Sequence, residues 1–166
     1  MRRRAGFITV IGSIAVVGGV LAACLATGSS ASTGDTQIQV FKPDGPYEKF
    51  VDVGKAGFSP GDQILQWQAL LDPADGSMVG RVVARVEIVK HRGKDDLFIL
   101  DGTAKLEGGS IVFYGAARVS QFETGIAFPV TGGSGIYEHA SGKVTAVTDK
   151  VSGTSGVLLS FDLATV

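Results

Sequence analysis

The stretch FPVTGGSGIYEHASG, Phe128 to Gly142, sets glycines at 132, 133, 135 and 142 around Phe128 and Tyr137. It poses a choice between two kinds of protein. A glycine-rich loop leading from a strand into a helix can cradle phosphate on its main-chain N–H groups. A glycine-rich turn between two strands instead supplies positive φ and close approach of chains. The P-loop pattern needs a Lys at a set place and a helix behind it. No Lys falls at that place here, and Lys143 to Thr148 alternates like a short strand. A dinucleotide fingerprint fails for the same reason, because it too needs a helix N-terminus. The stretch therefore reads as a structural turn built on Gly132, Gly133 and Gly135, with positive φ expected at Gly132 or Gly133.

Working outward from this turn, the patterns have period two. GRVVARVEIVKH puts Val82, Ala84, Val86 and Ile88 on one face and Arg81, Arg85 and Glu87 on the other. VLLSFDLATV alternates in the same way, with Val157, Leu159, Phe161 and Leu163 opposite Ser160 and Asp162. Further strand-like runs are Ile38–Phe41, Gln63–Leu71, Leu97–Leu106, Ser110–Arg118, Gly125–Val130 and Lys143–Thr148. Turn signals such as SPGD, DPADG and HRGKDD separate them. The expectation is an all-β domain over residues 37–166, with eight strands and no helix. An antiparallel meander of that length closes most simply into a barrel, since closure removes the unpaired edges. A two-sheet sandwich is the other arrangement the pattern allows.

The N-terminus reads as a targeting segment. Arg2, Arg3 and Arg4 precede an uncharged apolar run from Phe7 to Leu21, which is short for a membrane span and is followed by small residues. Residues 1–23 are expected to be a signal peptide, and residues 24–36 a Ser/Thr/Gly-rich flexible tether. LAAC, Leu21 to Cys24, resembles the lipobox of bacterial lipoproteins, which implies lipidation at Cys24 and a membrane anchor outside the cytoplasm. Ser29-Ser30-Ala31 also fits ordinary cleavage and a secreted product. Cys24 is the sole cysteine of the chain, so no intrachain disulfide can form.

Composition excludes several classes of function. Fifteen Lys and Arg against sixteen Asp and Glu leave a net charge of −1, which provides no electrostatic footprint for nucleic acid. Two histidines and one cysteine offer no metal-site spacing, and no cofactor motif is present. No serine sits in a nucleophile-elbow context. His91, in a charged turn, reads as a solvated surface residue, and His139 as a structural member of the glycine-rich turn. Tyr114 and Glu123 are candidates for a hydrogen-bond donor and an acid in a barrel interior. A packed tyrosine and a solvated carboxylate are their plainer readings.

The segment FPVTGGSGIYEHASG resembles the signature of dirigent proteins and of allene oxide cyclase, which share an eight-stranded antiparallel β-barrel. Val79-Gly80-Arg81, following GDQILQWQALLD, and the closing VLLSFDLATV are similar to the family in the same order. The dirigent branch is the nearer one. The resemblance implies a lumen that holds a small hydrophobic molecule while a ring closes or two partners couple. It also marks departures. Gln68 stands where the cyclase has Asn and dirigent proteins an acid. Lys42 or Pro43 replaces a functional Glu of the cyclase, and Ser141 replaces an Arg of dirigent proteins. Each substitution removes a group those activities use, so two roles stay open: an enzyme of the cyclase or coupling kind, and a non-catalytic binding or structural envelope lipoprotein.

The facing of the strand around Gln68 decides where a ligand would sit. Hydrophobicity alone turns Leu65, Trp67, Ala69 and Leu71 inward. The resemblance implies the reverse, with Ile64, Gln66 and Gln68 lining the lumen; Val82, Ala84, Val86 and Ile88 then line it too, because both rows alternate on adjacent strands, and Tyr114 is a further lumen candidate. Trp67 would then lie outside and want cover from another subunit, a homo-oligomer. The expected ligand is uncharged and bears a carbonyl or hydroxyl for the two amides.

Overall fold

The computed structural model describes residues 36–45 and 48–164. Cys24, the expected signal peptide and nearly all of the tether lie outside the described residues, as do the last two positions. Among the described residues nine strands form: β1 Thr36–Pro43, β2 Glu48–Val51, β3 Gln63–Leu71, β4 Met78–Lys90, β5 Leu97–Leu106, β6 Gly109–Arg118, β7 Ile126–Gly135, β8 Ser141–Val151 and β9 Thr154–Ala164. Strands β3 to β9 run as an antiparallel meander. β1 then pairs with β9 along its whole length and touches β3 through Phe41 opposite Leu71. That contact closes an eight-stranded barrel. A sandwich is ruled out, because every neighbour in the ring is hydrogen-bonded to the next.

Two elements depart from the sequence expectation. β2 is a short extra strand that pairs with β3 from Gln63 to Gln66, on the edge that β1 leaves free. Its four residues carry no alternation long enough to register as a strand. The single-turn helix α1, Gln121–Thr124, interrupts the connection from β6 to β7. It is held from outside rather than by its own sequence. The Ser120 hydroxyl and main-chain N–H both donate to the Asp95 carboxylate, at 2.8 and 3.2 Å, and Phe122 stacks on Phe98 at 5.7 Å.

The interior face follows the period-two rows. Register links Gln68 to Val82, Val82 to Ala104 and Ala104 to Ile111, so these residues share the inner face. Leu70, Ala104, Ile111, Val144 and Phe161 are fully buried and form a packed layer. Phe113 meets Phe161 edge-on at 5.9 Å. The ring of Phe113 lies where a side chain on Gly102 would be, and Phe128 likewise covers Gly115. These bare positions let three phenyl rings fill the barrel. Register shifts at Leu70/Leu71, Ile88/Lys90 and Val112/Phe113 add the local bends that closure requires.

The glycine-rich turn is structural. β7 continues to Gly135, and the chain returns through a tight turn in which Tyr137 N–H donates to Ser134 and Glu138 N–H to Gly135. Gly132 has φ 155° and Gly135 φ 64°. Gly133 is constrained by crowding instead, since a Cβ there would strike the carbonyl oxygens of Tyr137 and Ser110. No helix follows the turn; β8 does. That disposes of phosphate cradling.

Candidate functional site

On β3 and β9 the exposure of the inner face rises toward one end of the barrel, whereas Ile88 on β4, Phe98 on β5 and Ile126 on β7 stay buried there. On β3, Leu70 is sealed and Gln68 is 1% exposed, while Gln66 and Ile64 are only half-buried. On β9 the same progression runs from Phe161 through Leu159 to the half-buried Val157. Val86 on β4 and Thr148 on β8 are half-buried at the same end. The β3 and β9 side of this end is therefore the accessible part of the inner face, and the packed layer lies beneath it.

Gln68 and Lys42 bring polar groups to the inner face beside the packed layer. Lys42, two residues beyond the inward-facing Val40 on β1, is 8% exposed. Its Nζ donates to Gln68 Oε1 at 2.7 Å. A buried ammonium needs such acceptors, because its desolvation is costly otherwise. The contact also orients the amide: Lys offers only donors, so the oxygen of Gln68 must face it. The Gln68 Nε2 atom then points away, fully buried and without a hydrogen-bond partner.

The lumen row expected on β3 and β4 lies inside: Ile64, Gln66, Gln68, Val82, Ala84, Val86 and Ile88 share the inner face by register. Tyr114 does not. It pairs with Asp101 on the outer face and is 45% exposed, because Phe113 takes the inward position on β6. Glu123 is exposed on α1, and Ser141 is exposed at the start of β8. His139 is exposed with φ 70°, a turn residue. His91 is exposed but not merely solvated: its Nδ1 sits 3.0 Å from the Asp96 carboxylate and its ring stacks over Phe58. Lys42 is the residue that sequence reasoning left unassigned. Its place opposite Val157 in β1 settles the choice between Lys42 and Pro43 as the inward one.

The rim of the accessible end is held by carboxylates. Asp62, buried, accepts from the main-chain N–H groups of Val53 at 2.9 Å and Ser59 at 2.6 Å. Its main-chain oxygen receives Ile88 N–H at 2.9 Å, so the loop from β2 to β3 is tied to the end of β4. The Val53 N–H, with Ser59 behind it, holds the Asp62 carboxyl below the usual carboxylate range against the opposing effect of burial. Asp95 is lowered by the Ser120 hydroxyl and N–H, with Arg118 adding a smaller contribution.

The outer face of β3 to β6 carries a second feature. Trp67, Val83, Thr103 and Val112 stand in register across four strands. Trp67 is 60% exposed, and Arg81 lies over its ring at 5.8 Å. Arg85 pairs with Asp101 beside them. A groove of about 890 Å³ runs along this row. It is lined chiefly by outward side chains, with Gln66, Ala84 and Gly102 also lining it.

Comparison with solved structures places this fold. A pyocyanin demethylase matches with TM-score 0.64 and 19% identity, over 77% of this chain and 99% of that one. The barrel shares its fold with solved dirigent proteins. The pterocarpan synthase dirigent protein PsPTS1 matches with TM-score 0.61 and 17% identity, over 78% of this chain and 93% of that one. The exo-specific intermolecular Diels-Alderase AbnU matches with TM-score 0.57 and 16% identity, over 76% and 97%. At these identities the likeness is one of fold. No protein-family model matches the chain, and no curated protein sequence does.

Proposed function

We propose that this barrel binds a small, largely apolar molecule in its accessible end and fixes its geometry for a cyclisation or a stereoselective coupling. One observation carries the reading: a buried amide with a partnerless donor, braced by a buried lysine, beside the packed layer of the barrel interior. Small-molecule sites have this makeup, with apolar walls and few placed polar groups. The solved structures of the same fold support it, since their names include a synthase, a demethylase and a Diels-Alderase. Confinement of a reactant supplies orientation without covalent help from the protein, the effect by which such a site accelerates ring closure.

Native mass spectrometry of the protein purified from its own organism tests the proposal. A co-purified small molecule is the expected result, and an empty chain at every preparation counts against it. Incubating the recovered molecule with fresh protein then separates the roles. Conversion to an isomer or adduct identifies an enzyme, and unchanged recovery identifies a carrier.

The proposal extends to location and assembly. The chain is exported and tethered through lipidated Cys24, so Cys24→Ala moves it out of the membrane fraction; a mature protein beginning at Ser32 overturns this. The Trp67 face, exposed in the single chain, is covered by a second copy. Sedimentation that returns a monomer at micromolar concentration refutes that part.

A further inference from the structure

Resting on the lumen reading above, we propose that Lys42 is a positioning residue that makes the site select ligands by a hydrogen-bond acceptor oxygen, such as a ketone. The sequence alone offered two amides able to meet either a carbonyl or a hydroxyl. The structure narrows this. Lys42 Nζ occupies Gln68 Oε1 at 2.7 Å, and a lysine cannot accept the opposite orientation of the amide. Gln68 is 1% exposed and its Nε2 has no partner. On the lumen reading, what this amide offers a ligand is therefore an N–H donor, with its own acceptor already taken by Lys42. A buried donor left unmade is costly, so a ligand gains most by bringing oxygen to it. A ligand that only donates finds no free acceptor on this amide.

The site can be inverted without changing its shape. Gln68→Glu keeps an oxygen for Lys42 and replaces the N–H donor with a second carboxylate oxygen. Lys42→Met removes the group that holds the amide and lets it turn either way. Lys42→Arg retains donors and should retain the selectivity.

Two environment-sensitive dyes of similar apolar body serve as probes on the purified full chain: prodan, whose ketone accepts, and phenylnaphthylamine, whose N–H donates. The wild type should prefer prodan, with the longer-wavelength emission of a hydrogen-bonded ketone. Gln68→Glu should weaken prodan by roughly tenfold and reverse the preference. Lys42→Met should abolish the discrimination, and Lys42→Arg should restore it. A preference that is the same in the wild type, Gln68→Glu and Lys42→Met overturns the role of Lys42 while leaving the lumen reading intact. Dyes that fail to bind, or that bind until Trp67→Ser removes them, overturn the lumen reading itself and this inference with it.

Discussion

The packed layer and the accessible end lie on the same strands, two to four residues apart, yet they are built for different tasks. In the layer, Phe161, Ile111 and Leu70 are sealed, and Gly102 and Gly115 yield their space to phenyl rings. At the end, Gln66, Ile64 and Val86 keep half-exposed side chains above the buried Lys42–Gln68 contact. The largest sealed apolar side chains are in the first region, and the buried polar contact is in the second.

Substitutions can break or sharpen that contrast. Phe161→Ala should cost about 3–5 kcal/mol of unfolding free energy, as a large buried aromatic does, while Val86→Ala at the open end should cost well under half of that; chemical denaturation of both variants decides it, and equal losses would mean one uniform core. Gln68→Leu should cost about 1.5–3 kcal/mol, because a buried ammonium loses an acceptor. The same substitution would be nearly silent if the amide were idle. In the glycine-rich turn, Gly133→Val should cost about 1–3 kcal/mol through steric crowding. Gly132→Ala, with open space around it, should lose less, so the two melting temperatures rank crowding against φ.

Trp67→Ser should change monomer stability by no more than about 0.5 kcal/mol, as surface substitutions do, yet dissociate any oligomer. The most local effect is that of acid. The Asp62 carboxyl is lowered in the folded chain, so its contribution is complete above the ordinary carboxylate range and is lost as pH falls through the lower folded value. Hydrogen exchange at Val53 and Ser59 should quicken there, ahead of the barrel strands, and Asp62→Asn should show that quickening already at neutral pH.

Much of the architecture was legible from residue order. Alternation over Arg81–Ile88 and Val157–Leu163 identifies strands and their inner face, because a strand's side chains have only two directions to take. The four-residue β2 and the single-turn α1 escaped this reading. Neither is long enough to show a period, and α1 depends on Asp95 and Phe98 from elsewhere in the chain. Tyr114 was misplaced by one residue of register, which is enough to move a side chain through the wall.

What the sequence determined by itself is the all-β class, the turn character of Gly132 to Gly135, and the absence of a phosphate-binding loop, because these follow from local periodicity and from the need of such a loop for a helix. Only the tertiary structure decided that Trp67 lies outside and Gln68 within. Hydrophobicity argues the opposite, and a strand cannot by itself choose which of its faces a closed sheet will enclose. It likewise decided the partnership of Lys42 with Gln68. The two are 26 positions apart, on strands brought together only when the barrel closes, and a lysine in an apolar strand has no local reason to be buried until the acceptor that compensates it arrives from the other side.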